Sequence, residues 1–80
     1  MELFYNLPKW IMMKFQERLI MELKYSKFTQ KEIAERLGIS EGNITNWKNG
    51  ENLPSLEVFY ELCNLLEVSA DYLLGIEEKY

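Results

Sequence analysis

The stretch FTQKEIAERLGISEGNITNWKNG, which begins at Phe28, constrains the fold more than any other part of the chain. Thr29 and Glu32 have the spacing of a capping box, in which each side chain accepts a hydrogen bond from the backbone N–H of the other residue. Phe28 and Ile33 occupy the two positions of a hydrophobic staple. Gly38 stands where a left-handed residue ends a helix without Cβ strain. These signals predict a short helix between Thr29 and Gly38.

A second short helix is predicted after the three-residue turn Gly-Ile-Ser. The hydroxyl of Ser40 can cap this helix, and Ile39 can staple onto Ile44. Only Ile44 and Trp47, three residues apart, are predicted to face inward. A face of small polar groups packs poorly, but it can contact a polar ligand. The residues predicted to lie on that outward face or at its edges are Glu41, Gly42, Asn43, Thr45, Asn46 and Lys48.

The residues before this stretch also have a helical pattern. Apolar residues recur in steps of four, which predicts a first helix over Leu7–Tyr25, opened by Asn6 and Pro8. They are Ile11, Phe15, Leu19 and Leu23. No alternating segment rich in valine or threonine is present, so no strand is predicted.

Seven residues between Gln30 and Asn49 carry a resemblance to a known family. Their spacing resembles the helix-turn-helix of the lambda-repressor-like family of phage and bacterial regulators, which includes the Cro-type proteins. The downstream NGENLPSLEVFYELCNLLEVSADYLLG is similar to that family's next two helices. The likeness covers roughly residues 15–75. The seven residues are Ile33, Ala34, Leu37, Gly38, Ile39, Ile44 and Trp47.

The resemblance implies a compact, all-α, five-helix domain with the helix-turn-helix at its second and third helices. It places a fourth helix at about Leu56–Leu66, capped by Ser55, and a fifth at about Ala70–Leu74, capped by Ser69. The apolar pattern agrees, since one stripe of the fourth helix and two leucines of the fifth can close the core. These residues are Leu56, Phe59, Leu62, Cys63, Leu66, Leu73 and Leu74.

Domain limits follow from the same arguments. Because Met13 is a plausible natural start, residues 1–12 are predicted to be an N-terminal extension or the start of the first helix. Residues 13–75 are predicted to form the DNA-binding domain, and residues 76–80 a C-terminal tail. Eighty residues leave no room for a second domain of ordinary size.

The composition argues against most enzymes. The chain has no histidine and one cysteine, so a Cys-His pair, a Ser-His-acid triad or an imidazole metal site cannot be built. We therefore expect no catalytic residue, metal, cofactor or small-molecule substrate. Cys63 is predicted to pack in the core, and a lone cysteine fits a reducing cytoplasm. Glu2 and Pro8 argue against a signal peptide, and no apolar run is long enough to span a membrane.

The charge is unevenly distributed along the chain. The net charge is −4, with thirteen acidic and nine basic residues. Lys9–Lys48 holds eight basic and five acidic residues, a net of +3, whereas Asn49–Tyr80 has a net of −6. Phosphate attraction acts over a Debye length of about 8 Å at physiological salt, so the local sign matters more than the total. An acidic protein can therefore bind DNA through a mildly basic surface, with weak non-specific affinity.

Base contacts are predicted at the start of the third helix, because in this family that end enters the major groove. Asn43 and Asn46 can pair with adenine, Thr45 can offer its methyl group to thymine, and Glu41 can accept from cytosine N4. Glu41 has the alternative role of a favourable acid in a first turn. Gly42 either lets the backbone approach closely or leaves its base uncontacted.

Phosphate contacts are predicted at both ends of the motif. The resemblance implies that Gln30, at the start of the second helix, and Asn49 bind phosphate, and a helix start favours an anion. Lys31 and Lys48 flank these residues and can add charge. For each lysine, a solvated surface position is the alternative.

Together these features predict a sequence-specific DNA-binding transcriptional regulator, a phage or bacterial repressor that binds double-stranded DNA at a near-palindromic operator as a homodimer. The resemblance favours a seam at the Leu53–Leu56 loop and the end of the fifth helix, and the apolar LFY near the N-terminus is an alternative. A helical protein-interaction module, antitoxin-like or anti-repressor-binding, is the other hypothesis. Glu41, Gly42 and the modest charge favour that second hypothesis.

Overall fold

Five α-helices form the part of the chain that the computed structural model describes, which is residues 9–77, with side chains from Lys14 onward. The predicted all-α fold is confirmed, and the described residues contain no strand. The predicted start at Leu7, with Asn6 and Pro8, lies outside the described residues. The helices are α1 (Lys9–Tyr25), α2 (Gln30–Leu37), α3 (Glu41–Lys48), α4 (Leu56–Leu66) and α5 (Ala70–Leu74).

Local chemistry sets both ends of α2 as predicted. The Thr29 hydroxyl accepts from the Glu32 N–H at 3.1 Å, and a Glu32 carboxylate oxygen accepts from the Thr29 N–H at 2.8 Å. Gly38 ends the helix with a φ of 71°, in the left-handed region. The capping box and the C-terminal glycine are therefore both confirmed.

The predicted cap of α3 is wrong in its side chain. Ser40 has the extended backbone of a cap residue, with φ −81° and ψ 153°, but its hydroxyl makes no capping hydrogen bond. Instead it accepts from the Asn43 side-chain amide at 3.2 Å. The backbone N–H of Asn43 donates to the Ser40 backbone carbonyl at 3.1 Å. The Ser40 hydroxyl and the Asn43 backbone N–H, which could form the cap, are thus each bonded to another partner.

The core draws on every helix. Each helix contributes one side chain that is wholly buried, in chain order Leu19, Ile33, Ile44, Leu62 and Leu73. Around these pack the other buried residues, which are Phe15, Ala34, Leu37, Trp47, Phe59, Cys63 and Val68. The rings of Phe15 and Phe59 lie 6.0 Å apart between centroids and join α1 to α4. Cys63 is buried as predicted.

Two leucines predicted for the core are exposed. Leu56 is 83% exposed and Leu74 is 37% exposed. Leu56 is the first residue of α4, and at 100° per residue it lies about 120° around the helix from wholly buried Leu62 and about 40° from exposed Tyr60. In α5, Leu73 takes the core position, and the next residue necessarily points about 100° away from it. The prediction from the leucine pattern therefore made the buried faces of α4 and α5 wider than they are.

Arg18 is buried, which the sequence did not predict. It is only 9% exposed, and its guanidinium donates to the Tyr72 carbonyl at 2.6 Å and to the Glu77 carbonyl. The guanidinium carbon also lies 4.5 Å from the centroid of the Tyr72 ring. Arg18 therefore links α1 to the C-terminal end of α5, and its guanidinium contacts groups within the domain.

Candidate nucleic-acid interface

The two faces of α3 differ sharply in their surroundings. Ile44 and Trp47 are buried and hold the helix in the core. The predicted base-contacting residues lie on the remaining surface of α3, where Glu41, Gly42 and Thr45 are exposed and the other two are half-buried. Those two are Asn43 and Asn46.

Gly42 has no packing reason to be glycine. A Cβ atom built there would meet only the Ser40 hydroxyl oxygen, at 3.8 Å, an ordinary contact distance. The space around Gly42 is otherwise open on the exposed side of α3. Both predicted consequences, close backbone approach to DNA and an uncontacted base, are compatible with this geometry.

A hydrogen-bonded network that the sequence did not predict joins α2 to α3. The side-chain carbonyl oxygen of Gln30 accepts a hydrogen bond from the Lys48 ammonium at 2.7 Å. The Gln30 amide nitrogen donates to the Thr45 hydroxyl at 2.9 Å and to the Glu41 carbonyl at 3.3 Å. One residue of α2 thus contacts both ends of α3, and it brings two predicted phosphate contacts beside a predicted base contact.

The network leaves donors free at the surface. The Lys48 ammonium has three hydrogens and gives one to Gln30, so two can bind a phosphate. Because the Thr45 hydroxyl accepts from Gln30, it keeps its own hydrogen to donate. The signal in the sequence was the spacing of Thr45 and Lys48, one helical turn apart and hence on one side of α3.

The two asparagines of α3 differ in whether their side-chain amides already form a hydrogen bond within the protein. The Asn43 amide donates to Ser40, which leaves one hydrogen and the carbonyl oxygen. Within residues 14–77, no hydrogen bond engages the Asn46 side chain or that of exposed Lys31. Asn46 therefore has the more available amide for contacting a base edge.

Asn49 lies at the opposite end of α3 from Glu41. It is exposed and forms the C-cap with φ −89° and ψ −3°. Its backbone N–H donates to the Thr45 carbonyl at 3.0 Å. The predicted phosphate contacts thus lie at the start of α2 and the end of α3, on either side of the polar face.

The cations around the interface are fewer than the sequence count suggests. Arg18 is buried, and the Lys27 and Arg36 charges lie over the Phe28 ring, at 5.4 and 4.4 Å from its centroid. Lys48 is held by Gln30, and Lys31 is exposed. Only these last two cations belong to the proposed contact set, so the surface is modestly basic.

The described part of the chain lacks two other features. It holds no group of three or more cysteine, histidine or acidic side chains that could bind a metal ion. None of its helices is both long and apolar enough to cross a membrane.

The fold and the exposed polar face of α3 define a helix-turn-helix domain. A family model described as helix-turn-helix matches residues 22–73, from the last turn of α1 into α5. The chain belongs to the lambda-repressor-like helix-turn-helix family of DNA-binding transcriptional regulators.

Named relatives agree with this family. The chain is similar to the HTH-type transcriptional regulator ImmR of Bacillus subtilis, with 38% identity over 66 residues, 82% of this chain and 52% of ImmR. It is 36% identical over 63 residues to the cryptic phage CTXphi transcriptional repressor RstR of Vibrio cholerae, 79% of this chain and 56% of RstR. The HTH-type transcriptional activator BcrR of Enterococcus faecalis is 32% identical over 66 residues, 82% of this chain and 32% of BcrR. The chain spans about half the length of the first two relatives.

Proposed function

We propose that this chain is a sequence-specific transcriptional regulator, a repressor that inserts α3 into the major groove of double-stranded DNA. The observation that carries the proposal is the division of α3 into two faces. Ile44 and Trp47 anchor the helix in the core, while the opposite face is polar and contributes no buried side chain to the core. The major groove is wide enough to admit an α-helix and presents a distinct donor and acceptor pattern for each base pair.

Within this proposal, five of the six outward residues of α3 contact bases. Asn46 is the strongest of them, because its amide is uncommitted and an asparagine can pair with adenine through two hydrogen bonds. Thr45 binds Gln30 through its hydroxyl, which leaves its methyl group for thymine. The full set is Glu41, Gly42, Asn43, Thr45 and Asn46.

Phosphate contacts fall to Gln30, Lys31, Lys48 and Asn49. Since the Gln30 side chain is bonded to α3, its contact with phosphate is assigned to backbone N–H groups at the start of α2. The Gln30 side chain then serves to hold the Lys48 ammonium at the edge of the polar face.

Repression is the proposed direction of regulation. The name of the Vibrio relative includes repressor, whereas that of the Enterococcus relative includes activator. A reporter gene placed behind the bound site decides between the two. Lower expression in the presence of this chain supports repression, and higher expression contradicts it.

Selection from a randomised duplex library at low salt tests the proposal. We expect one near-palindromic motif to be enriched. A variant with Asn46→Ala and Thr45→Ala should retain weak bulk DNA binding but lose the motif, since it keeps the phosphate contacts. Failure of the parent to enrich any motif would contradict the proposal and favour the protein-interaction hypothesis, which the named relatives do not support.

A two-fold homodimer is the proposed assembly, because one α3 contacts only a few base pairs. Recognition helices in such dimers lie about 34 Å apart, one turn of DNA. The exposed apolar side chains of Leu53 and Leu56, before and at the start of α4, support a seam there. Exposed Leu74 and Ile76 support the other part of the same predicted seam, at the end of α5. The alternative seam at the N-terminal LFY lies outside the described residues.

The dimer can be tested separately from base recognition. Leu56→Glu should lower self-association in sedimentation experiments, because it places a charge in the proposed seam. Ile20→Glu, at an exposed apolar residue of α1, is the matched control. A footprint that covers one half-site at saturating protein would contradict the dimer.

A further inference from the structure

Gln16 of α1 reaches across the domain to the end of α3. Its side-chain amide nitrogen donates to the Lys48 backbone carbonyl at 3.0 Å, between residues 32 positions apart in the chain. Gln16 is half-buried and lies one position after buried Phe15. None of the sequence patterns marks it as functional.

The bonded carbonyl belongs to the last turn of α3, where carbonyls lack partners within the helix. The carbonyls of residues 45–47 already accept backbone N–H groups from residues 49–51. The Lys48 carbonyl accepts a hydrogen bond from the Gln16 side chain instead. Gln16 therefore acts as a C-terminal cap supplied by a different helix.

Gly50 provides the space for this cap. It has a φ of 77°, in the left-handed region. A Cβ atom there would lie 2.9 Å from the Gln16 amide nitrogen and 3.0 Å from both the amide carbon and the amide oxygen. The amide group thus lies flat against Gly50, and any side chain at position 50 would push it away from the Lys48 carbonyl.

Lys48 is consequently held at both of its ends. Its carbonyl is bound by Gln16 of α1, and its ammonium is bound by Gln30 of α2. A residue fixed in this way points its remaining ammonium hydrogens in a defined direction. The neighbouring Asn49 shares the same main-chain segment.

We propose that Gln16 is a positioning residue for DNA recognition, which by capping α3 fixes the placement of Lys48 against the phosphate backbone. This inference rests on the proposed function. Gln16 itself contacts no DNA in the proposal, and its effect on binding passes through Lys48.

Gln16→Met is the variant for the test, because methionine keeps the length and shape of the side chain but cannot donate. Met21→Gln, the reverse exchange at a half-exposed position of α1, is the matched control. In the free protein, amide hydrogen exchange at residues 49–51 should accelerate roughly two- to tenfold in Gln16→Met, the effect of one ordinary hydrogen bond. Amides of α2 serve as the internal reference, and the control should leave both regions unchanged.

A double-mutant cycle then tests the role in binding. The DNA is the duplex selected by the parent, and Kd is measured for Gln16→Met, Lys48→Gln and the combination. If Gln16 acts through Lys48, Gln16→Met should raise Kd by no more than Lys48→Gln does. The combination should then bind within about twofold of Lys48→Gln alone, because the two changes remove the same contact.

Three outcomes would overturn the inference. Unchanged exchange at residues 49–51 would refute the cap, whatever the DNA data show. If the fold-change in Kd of the combined variant equals the product of the two single fold-changes, Gln16 and Lys48 act independently. Gln16 would then stabilise α3 without positioning Lys48. If the parent binds no duplex, the proposed function fails and the recognition role of Gln16 fails with it, while the exchange data still decide whether the cap exists.

Discussion

Replacing Ser55 with alanine should destabilise the domain, whereas the same replacement at Ser40 should have little effect. Both serines precede a helix with an extended backbone, and sequence alone predicts a capping role for each. Only Ser55 fulfils it, since its hydroxyl accepts from the Val58 N–H at 3.2 Å. The Ser40 hydroxyl is bound by the exposed Asn43 amide instead.

The expected difference follows from the value of a side-chain cap. Loss of such a cap costs about 1 kcal/mol, whereas loss of an exposed hydrogen bond between two side chains costs about a few tenths. For a domain of this size, about 1 kcal/mol corresponds to a fall in Tm of about 4–8 °C. A small domain has only about 4–12 kcal/mol of stability, so the effect is readily measured.

Thermal and urea melts of the two variants, followed by far-UV circular dichroism, make the comparison. Ser69→Ala extends the series, because Ser69 also caps its helix, through the Tyr72 N–H at 3.0 Å. We expect Ser55→Ala and Ser69→Ala to lower the midpoint and Ser40→Ala to leave it nearly unchanged. An equal fall for Ser40→Ala and Ser55→Ala would refute the assignment of caps.

Three further predictions concern recognition and the core. Asn46→Ala should weaken the preferred site by about 1–3 kcal/mol and flatten the preference at one base pair, as measured by competition between single-substitution duplexes; equal loss on matched and scrambled DNA would contradict base contact. Lys48→Gln should reduce the log-log salt slope by about one per subunit, whereas Glu61→Gln on α4 should leave it unchanged, and equal slopes for both variants would remove Lys48 from the phosphate contacts. Burial raises the pKa of the Cys63 thiol, so less thiolate is present near neutral pH, and alkylation should be slow in the native protein and fast in urea; rapid native alkylation would contradict the buried position.

The elements that sequence predicts best are those whose signals are local. Thr29, Glu32 and Gly38 lie within ten residues of one another, and each acts on the backbone of the same short helix. Their geometry therefore depends on contacts within one short segment and not on distant residues. The inward positions Ile44 and Trp47 are predictable for a similar reason, since only two apolar residues occur in α3.

Other features depend on contacts that no local pattern encodes. The bond between Gln16 and Lys48 joins residues 32 apart, and the bond between Arg18 and Tyr72 joins residues 54 apart. Leu56 was misplaced because a leucine stripe does not say how wide the buried face is.

Residue types, without tertiary geometry, predict the candidate interface only in outline. The chemistry of the outward face of α3 is evident from its sequence, and the structure brings those side chains together. How they share hydrogen bonds is not evident. Gln30 was predicted to bind phosphate, and in the structure its side chain is hydrogen-bonded to Thr45 and Lys48. The phosphate assignment of Gln30 therefore stays a prediction, carried by its backbone.

A salt titration of binding to the selected duplex tests most directly whether the polar face of α3 holds DNA. A dimer that neutralises about four phosphates, through Lys31 and Lys48 of each subunit, should give a log-log slope of about −3.6. Affinity should then fall by about two decades between about 50 and 200 mM salt. A slope near zero for the parent protein would contradict the account, because a surface that engages the DNA backbone must release counterions.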